Sequence, residues 1–226
     1  DCVFVFHSAP SDENGTDMRA VCETLLPDYP VIFTHDISGP MDDTEMNYLY
    51  NSVDVYINIA SNEGFGLGSC EALTTGTPIV VNVTGGLQDQ CGFKEVNSSP
   101  DGSAFSERYL TAEDYVELGS NHNGTYKNHG EWVKPVFPSN RSLQGSPLTP
   151  YIFDDRCQFE DAGEALLEWY NAGPEERERC GNLGYEFVRD NNIGMSASNM
   201  ADGISSSIEL TFENWKPREK YTLEVV

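Results

Sequence analysis

Val53-Asp-Val-Tyr-Ile-Asn-Ile59, Ser61-Asn-Glu-Gly-Phe-Gly-Leu-Gly-Ser-Cys-Glu71 and Thr77-Pro-Ile-Val-Val-Asn82 follow one another with only short gaps between them. The first stretch is almost continuously apolar and short, which suits a strand covered on both faces in a parallel sheet. A glycine-rich turn then leads into a predicted helix from about Leu67 to Thr75, stopped by Gly76. Thr77 to Asn82 is apolar again and reads as the next strand. Strand, tight loop, helix and strand in this order form the βαβ unit, whose two strands must run parallel.

The same alternation extends upstream. Cys2-Val-Phe-Val-Phe6 reads as a strand, and Asp17 to Leu26 has helical spacing through Met18, Val21, Cys22 and Leu25 before Pro27 closes it. Val31 to Thr34 is a further short strand, followed by a loop with Gly39-Pro40, and the acidic stretch at Asp43-Thr44 can cap a helix through Ser52. We therefore expect an α/β fold with a Rossmann-like, doubly wound parallel sheet. The chain opens inside an apolar run, so further sequence upstream of Asp1 is expected.

Downstream the pattern weakens. From residue 83 to 150 Gly, Ser, Asn and Pro are dense and periodicity is poor apart from Thr111 to Leu118. An irregular insertion is expected at about residues 92–150, with an exposed turn from Asn97 to Gly102. Tyr151-Ile-Phe153 reads as a last strand. Helices are expected over Glu160 to Tyr170, Pro174 to Asn191 and Met195 to Phe212, within one domain of 226 residues.

Composition narrows the partners. The chain is 38% hydrophobic and carries a formal net charge of -24, so it can build a core but repels polyanions. Nucleic acid and an anionic membrane surface are poor partners for such a chain. No apolar run is long enough to span a membrane. Apart from Arg19, no Lys or Arg precedes Lys94. Six cysteines without paired metal spacing are expected as reduced thiols, and Asn82 ends an apolar strand where a glycan has no room. Cytoplasm is the default compartment on this reading.

Chemistry concentrates in the Ser61–Glu71 stretch. Glu63 and Glu71 flank Gly64, Gly66 and Gly68, glycines that let backbone amides approach a ligand closely. A helix starting near Leu67 offers unpaired N–H groups and a positive dipole end, which together attract an anion. Glu71 lies one turn into that helix and can turn back to the same crevice. Ionised carboxylates accept hydrogen bonds only, and so pair with the hydroxyls of a polyol. The stretch fits neither the dinucleotide fingerprint nor a P-loop, which needs a Lys.

Tyr48 to Asn58, then Glu63-Gly-Phe-Gly-Leu-Gly-Ser-Cys-Glu71-Ala-Leu-Thr-Thr-Gly-Thr-Pro-Ile-Val-Val81, then Thr84-Gly-Gly-Leu-Gln88, resembles the C-terminal domain of family-4-type retaining glycosyltransferases. The hallmark of that family is a Glu, seven residues and a second Glu set in E-G-F-G. The resemblance implies the C-terminal half of a GT-B architecture, holding a nucleotide diphosphate sugar. It implies that Glu71 binds the ribose and that Glu63 contacts the hydroxyls of the transferred sugar as the catalytic residue. The donor is then held by Gly64, Phe65, Gly66, Leu67 and Gly68, with neither metal nor cofactor required. Gly76-Thr77-Pro78 reads as helix stop and strand start.

Two departures from the family pattern stand out: the diphosphate cations are missing, and residues 92–150 are longer and more irregular than the usual link. The Arg and Lys that neutralise the diphosphate in such domains are absent, as is the N-terminal acceptor domain, which is expected upstream or as a partner chain. This chain alone is therefore expected to bind a nucleotide diphosphate weakly and to transfer nothing. His122, His129, Lys134, Arg141 and Arg156 are candidate replacement cations, although a solvated insertion is the plainer reading of their surroundings. Asp42-Asp43 and Asp154-Asp155 read as capping or surface acids rather than metal ligands. His35 and Asp36, at a strand end, are candidate base contacts, and Tyr48 to Tyr50 read as a core helix face. A nucleotide-sugar-binding module without catalytic competence and a sugar-nucleotide epimerase of the same fold are the alternatives.

Overall fold

The computed structural model describes residues 2–11, 15–98 and 105–217. It is a mixed α/β structure whose first four strands pair in parallel, and the chain divides into a unit ending at Leu49 and a unit beginning at Tyr50. In the first unit β1 (Phe4–Phe6) pairs in parallel with β2 (Val31–Phe33), Phe4 opposite Val31 and Phe6 opposite Phe33. The helix between them, α1 (Met18–Leu25), starts where the Asp17 carboxylate accepts the Ala20 N–H at 3.1 Å. Next, α2 (Asp43–Ser52) carries the chain into the second unit. Its cap is reciprocal: Asp42 accepts the Thr44 and Glu45 N–H groups, and the Glu45 carboxylate accepts the Asp42 N–H.

The second unit is built on a three-stranded parallel sheet in the order β3 (Tyr56–Asn58), β4 (Ile79–Asn82) and β7 (Val133–Val136). Between the first two strands runs α3 (Leu67–Thr74), as the βαβ reading requires. All four residues of β4 are buried. Because side chains alternate along a strand, both faces of β4 must be covered. On one side Val80 packs with Val136, Ala162, Ala165, Trp169 and Cys180. The Trp169 indole donates to the Ile79 carbonyl at 3.2 Å, tying α6 (Phe159–Ala172) to the central strand. Helix α7 (Pro174–Arg189) follows, and there the Gly181 Cα lies so close to Gly76 that a Cβ would overlap its carbonyl.

Residues expected to be irregular are largely structured. They hold α4 (Gly86–Gln90), the antiparallel hairpin β5 (Lys94–Ser98) and β6 (Phe105–Tyr109), α5 (Ala112–Leu118), β7, and β8 (Asn140–Ser146). The expected insertion thus supplies a strand of the parallel sheet. Val133-Lys-Pro-Val136 hides this in sequence, because Pro breaks the strand signal, yet Pro135 sits on an edge strand where its missing N–H costs no ladder bond. Tyr151 to Phe153 does form a strand, but within β9 (Thr149–Arg156), antiparallel to β8 rather than in the parallel sheet. The turn expected at Asn97 to Gly102 lies mostly outside the described residues.

The last helix, α8 (Ala197–Asn214), buries no residue. Cys22, Cys70, Cys91 and Cys180 are buried thiols, and no disulfide occurs among the described residues. Asn82 is fully buried, leaving no room for a glycan. No described helix is long and apolar enough to cross a membrane.

Candidate functional site

At the C-terminal end of β3 the Asn58 side chain accepts the Ala60 N–H at 3.0 Å, turning the chain into the loop that precedes α3. The loop ends at Gly66, the N-cap of α3, held at φ 85° and ψ 60°. Only glycine adopts that conformation without strain, and a Cβ there would also sit 2.5 Å from the Leu87 side chain. No side chain caps α3, so its first amides keep their hydrogen-bonding capacity. The Gly66 carbonyl accepts from the Cys70 N–H, the Ser69 hydroxyl and the Gln90 amide, and Gln90 also donates to the Phe65 carbonyl. Phe65 and Leu67 themselves are exposed.

Against this loop lies the start of α4. The Gly86 N–H donates to the Glu63 carbonyl at 3.1 Å, and the Gly85 N–H to the Ser120 carbonyl at 2.8 Å. Gly85 has φ 48°, and a Cβ there would overlap the Glu63 carbonyl oxygen. One at Gly86 would overlap Gly64. The loop before α3 and the turn before α4 are thus bolted together backbone to backbone.

Glu71 is oriented by a phenol. Glu71 accepts a hydrogen bond from the Tyr50 hydroxyl at 2.9 Å. That hydroxyl lies 3.2 Å from the Cβ position of Gly68, so the carboxylate folds back along the first turn of α3. The Tyr56 hydroxyl crowds the same glycine. Burial raises the Tyr56 phenol above its ordinary pKa, and the charges of Glu63 and Glu71 both add to the rise. Burial and then the Glu71 bond push Tyr50 the same way. Glu71 is thus bound to Tyr50, and the charges of both glutamates act on Tyr56, with the uncapped helix start alongside. Gly64, Phe65, Gly66, Leu67 and Gly68 occupy the span between them.

A second layer lies beneath, and the sequence reading missed it. Asp154 and Asp155, read as surface or capping acids, are both buried, with Asp155 only 1% exposed. The burial follows from pairing: the Asp155 N–H donates to the Ser61 carbonyl, and its own carbonyl accepts from the Asn82 amide at 2.7 Å. Its carboxylate accepts the Thr84 hydroxyl at 3.0 Å. Asn82 also donates to the Ala60 carbonyl. Tyr50, Tyr56, Gln90 and Asp155 carry no local signal of these roles. Each acts through a partner distant in sequence.

The other candidates separate. His122 is 4% exposed and packs edge-on to Phe93, and its burial lowers the imidazole pKa, so it is no phosphate cation. Lys134 pairs with Glu168, and Arg156 lies against Asp154. Arg141 stands beside the buried Asp155. In the first unit Asp36 is bound by Arg19 at 2.7 Å, and His35 meets the His7 ring edge-on. Tyr50 is buried, whereas Tyr48 is exposed, so the helix face read as core is only partly so. Glu131, Glu176 and Cys180 cluster, but the Arg179 guanidinium already binds both glutamates.

Neither a protein-family model nor a curated protein matches the chain.

Proposed function

We propose that this chain is the donor-binding domain of a retaining glycosyltransferase, a Rossmann-like α/β domain that holds a nucleotide diphosphate sugar. One observation carries the reading: Tyr50 holds the Glu71 carboxylate beside an uncapped helix start, where the charge of Glu63 reaches the neighbouring Tyr56, past the carboxyl ends of parallel strands. That edge is where open α/β sheets bind ligands. The E-G-F-G sequence and its second Glu support the family assignment.

In this reading Glu71 accepts from the ribose hydroxyls, and Tyr50 fixes the direction of its carboxylate. Glu63 accepts from hydroxyls of the transferred sugar and stabilises positive charge developing on that sugar at the transition state. The amides from Phe65 to Gly68 face the diphosphate. Retention follows from attack on the face that the phosphate leaves, with the departing phosphate taking the acceptor's proton, so no covalent glycosyl–Glu63 adduct forms. Binding without transfer is the second reading, favoured by the scarcity of cations before Lys94.

Calorimetric titration with uridine and guanosine diphosphate sugars tests the assignment. Glu71→Ala should weaken nucleotide binding by roughly 1.5–3 kcal/mol, the worth of hydrogen bonds to a charged group. In the complete enzyme Glu63→Ala should lower turnover more than affinity. Nucleotide binding indifferent to Glu71 would overturn the reading.

A further inference from the structure

The hairpin β8–β9 rises from the carboxyl end of β7, the edge at which the candidate site lies. Arg141 pairs across the hairpin with Asp155, and residues opposite one another in a ladder share a face. Its Nε lies 3.6 Å from the Asp155 carboxylate, beyond hydrogen-bond length, and the oxygen it faces is buried without any hydrogen-bond donor among the described residues. The guanidinium sits 5.0 Å from the centroid of the Phe153 ring, which supports its flat face. Nε is therefore turned to Asp155, and one face is covered. Neither terminal nitrogen of Arg141 has a hydrogen-bond partner among the described residues.

The other oxygen of Asp155 holds Thr84, the residue before the Gly85–Gly86 turn that is bolted to Glu63 and Gly64. Arg141 is thus one carboxylate and one hydroxyl away from the glycine loops. The other arginines of this unit in carboxylate pairs are committed at closer range: Arg108 to Glu95 and Asp114, Arg156 to Asp154, Arg177 to Asp54, and Arg179 to Glu131 and Glu176.

We propose that Arg141 is the phosphate-binding cation of this site, its two terminal nitrogens gripping paired oxygens of a diphosphate while Asp155 and Phe153 hold the guanidinium in place. A planar fork suits two oxygens of a phosphate better than a point charge does. The buried Asp155 makes the arrangement self-consistent, since an unpaired buried carboxylate is costly and anchors the cation above it. The assignment rests on the donor-site reading for the identity of the ligand, but not for the presence of an anion site.

Inorganic pyrophosphate is the probe, titrated calorimetrically into the full chain, with the unfolding midpoint of each variant measured alongside. Arg141→Gln keeps a donor towards Asp155 but removes the charge, and should cost about tenfold to a hundredfold in affinity. Arg141→Lys should recover only part of this loss. Arg156→Ala removes an equal charge from the opposite face of the hairpin and should change affinity by less than about threefold, a loss of the size of a surface ion pair. Pyrophosphate that fails to bind the unaltered chain, or binds Arg141→Gln as well as it binds the original, overturns the assignment. Equal losses in Arg141→Gln and Arg156→Ala also overturn it, because they would reflect net charge alone. Arg141-dependent pyrophosphate binding, with uridine and guanosine diphosphates no tighter and indifferent to Glu71→Ala, would keep the anion site and remove the donor reading.

Discussion

The glycine loops around Glu63 and the β8–β9 hairpin meet at Thr84 and Asp155, yet they are built on opposite principles. In the loops backbone touches backbone: Gly85 and Gly86 press on Glu63 and Gly64 so closely that no side chain fits. On the proposed donor-site reading, function there rests on amides and on two carboxylates carried by this backbone. In the hairpin Leu143, Tyr151, Ile152 and Phe153 are exposed, and the ladder shifts register between Gln144 and Ser146. Among its described side chains only those at the root, Asp154 and Asp155, are buried. In the proposed site a close-packed bracket would carry the acceptor groups, while an open arm would bring the positive charge.

The two regions differ most at Gly85. Gly85→Ala places a Cβ on the Glu63 carbonyl at a positive φ, so we expect roughly 3 kcal/mol or more of lost stability in urea unfolding. Leu143→Ala, on the exposed arm, should stay within about 0.5 kcal/mol. Equal costs would show that the arm is as constrained as the bracket.

The joint comes next. Thr84→Val removes the donor that the buried Asp155 carboxylate uses at 3.0 Å, with little change of shape, and should cost about 1–3 kcal/mol in the same measurement. An unchanged midpoint would mean that the backbone bonds of Asp155 to Ser61 and Asn82 hold the root unaided.

The smallest effect expected is a pH dependence. His122 packs on Phe137, just before the hairpin, and its Nδ1 accepts the Tyr126 N–H at 3.3 Å. Protonating that nitrogen forfeits the bond, and burial lowers the pKa in the fold. The unfolded histidine titrates near its ordinary value of about 6.5. Stability from this residue is therefore whole above that pH and declines as pH falls below it, because the unfolded chain takes up the proton first. Thermal unfolding from pH 7.5 to 5.5 should show a decline that is shallower in His122→Gln. Parallel curves would exclude His122 as a source.

Residue types whose preferences act locally were legible in sequence. The apolar runs at Val53 and Thr77, the glycine stop at Gly76 and the helical spacing after Glu160 marked β3, β4, α3, α6 and α7, although the strand at Val53 proved shorter, Tyr56–Asn58. Glu63 and Glu71 could be assigned to one loop and the helix that follows it, because both lie within a single βαβ unit. The entry of β7 into the sheet, the burial of Asp155, the two phenols at Gly68 and the station of Arg141 above Asp155 lay beyond such reading. Each depends on which distant segment a residue meets, and Val133-Lys-Pro-Val136 or Asp154-Asp155 would be unremarkable in a surface loop. Pairing with Val81 and with Ser61 turned these segments into core. Local sequence sets the conformation a segment prefers, but its neighbours are set by the whole chain burying its apolar surface and satisfying its hydrogen bonds together.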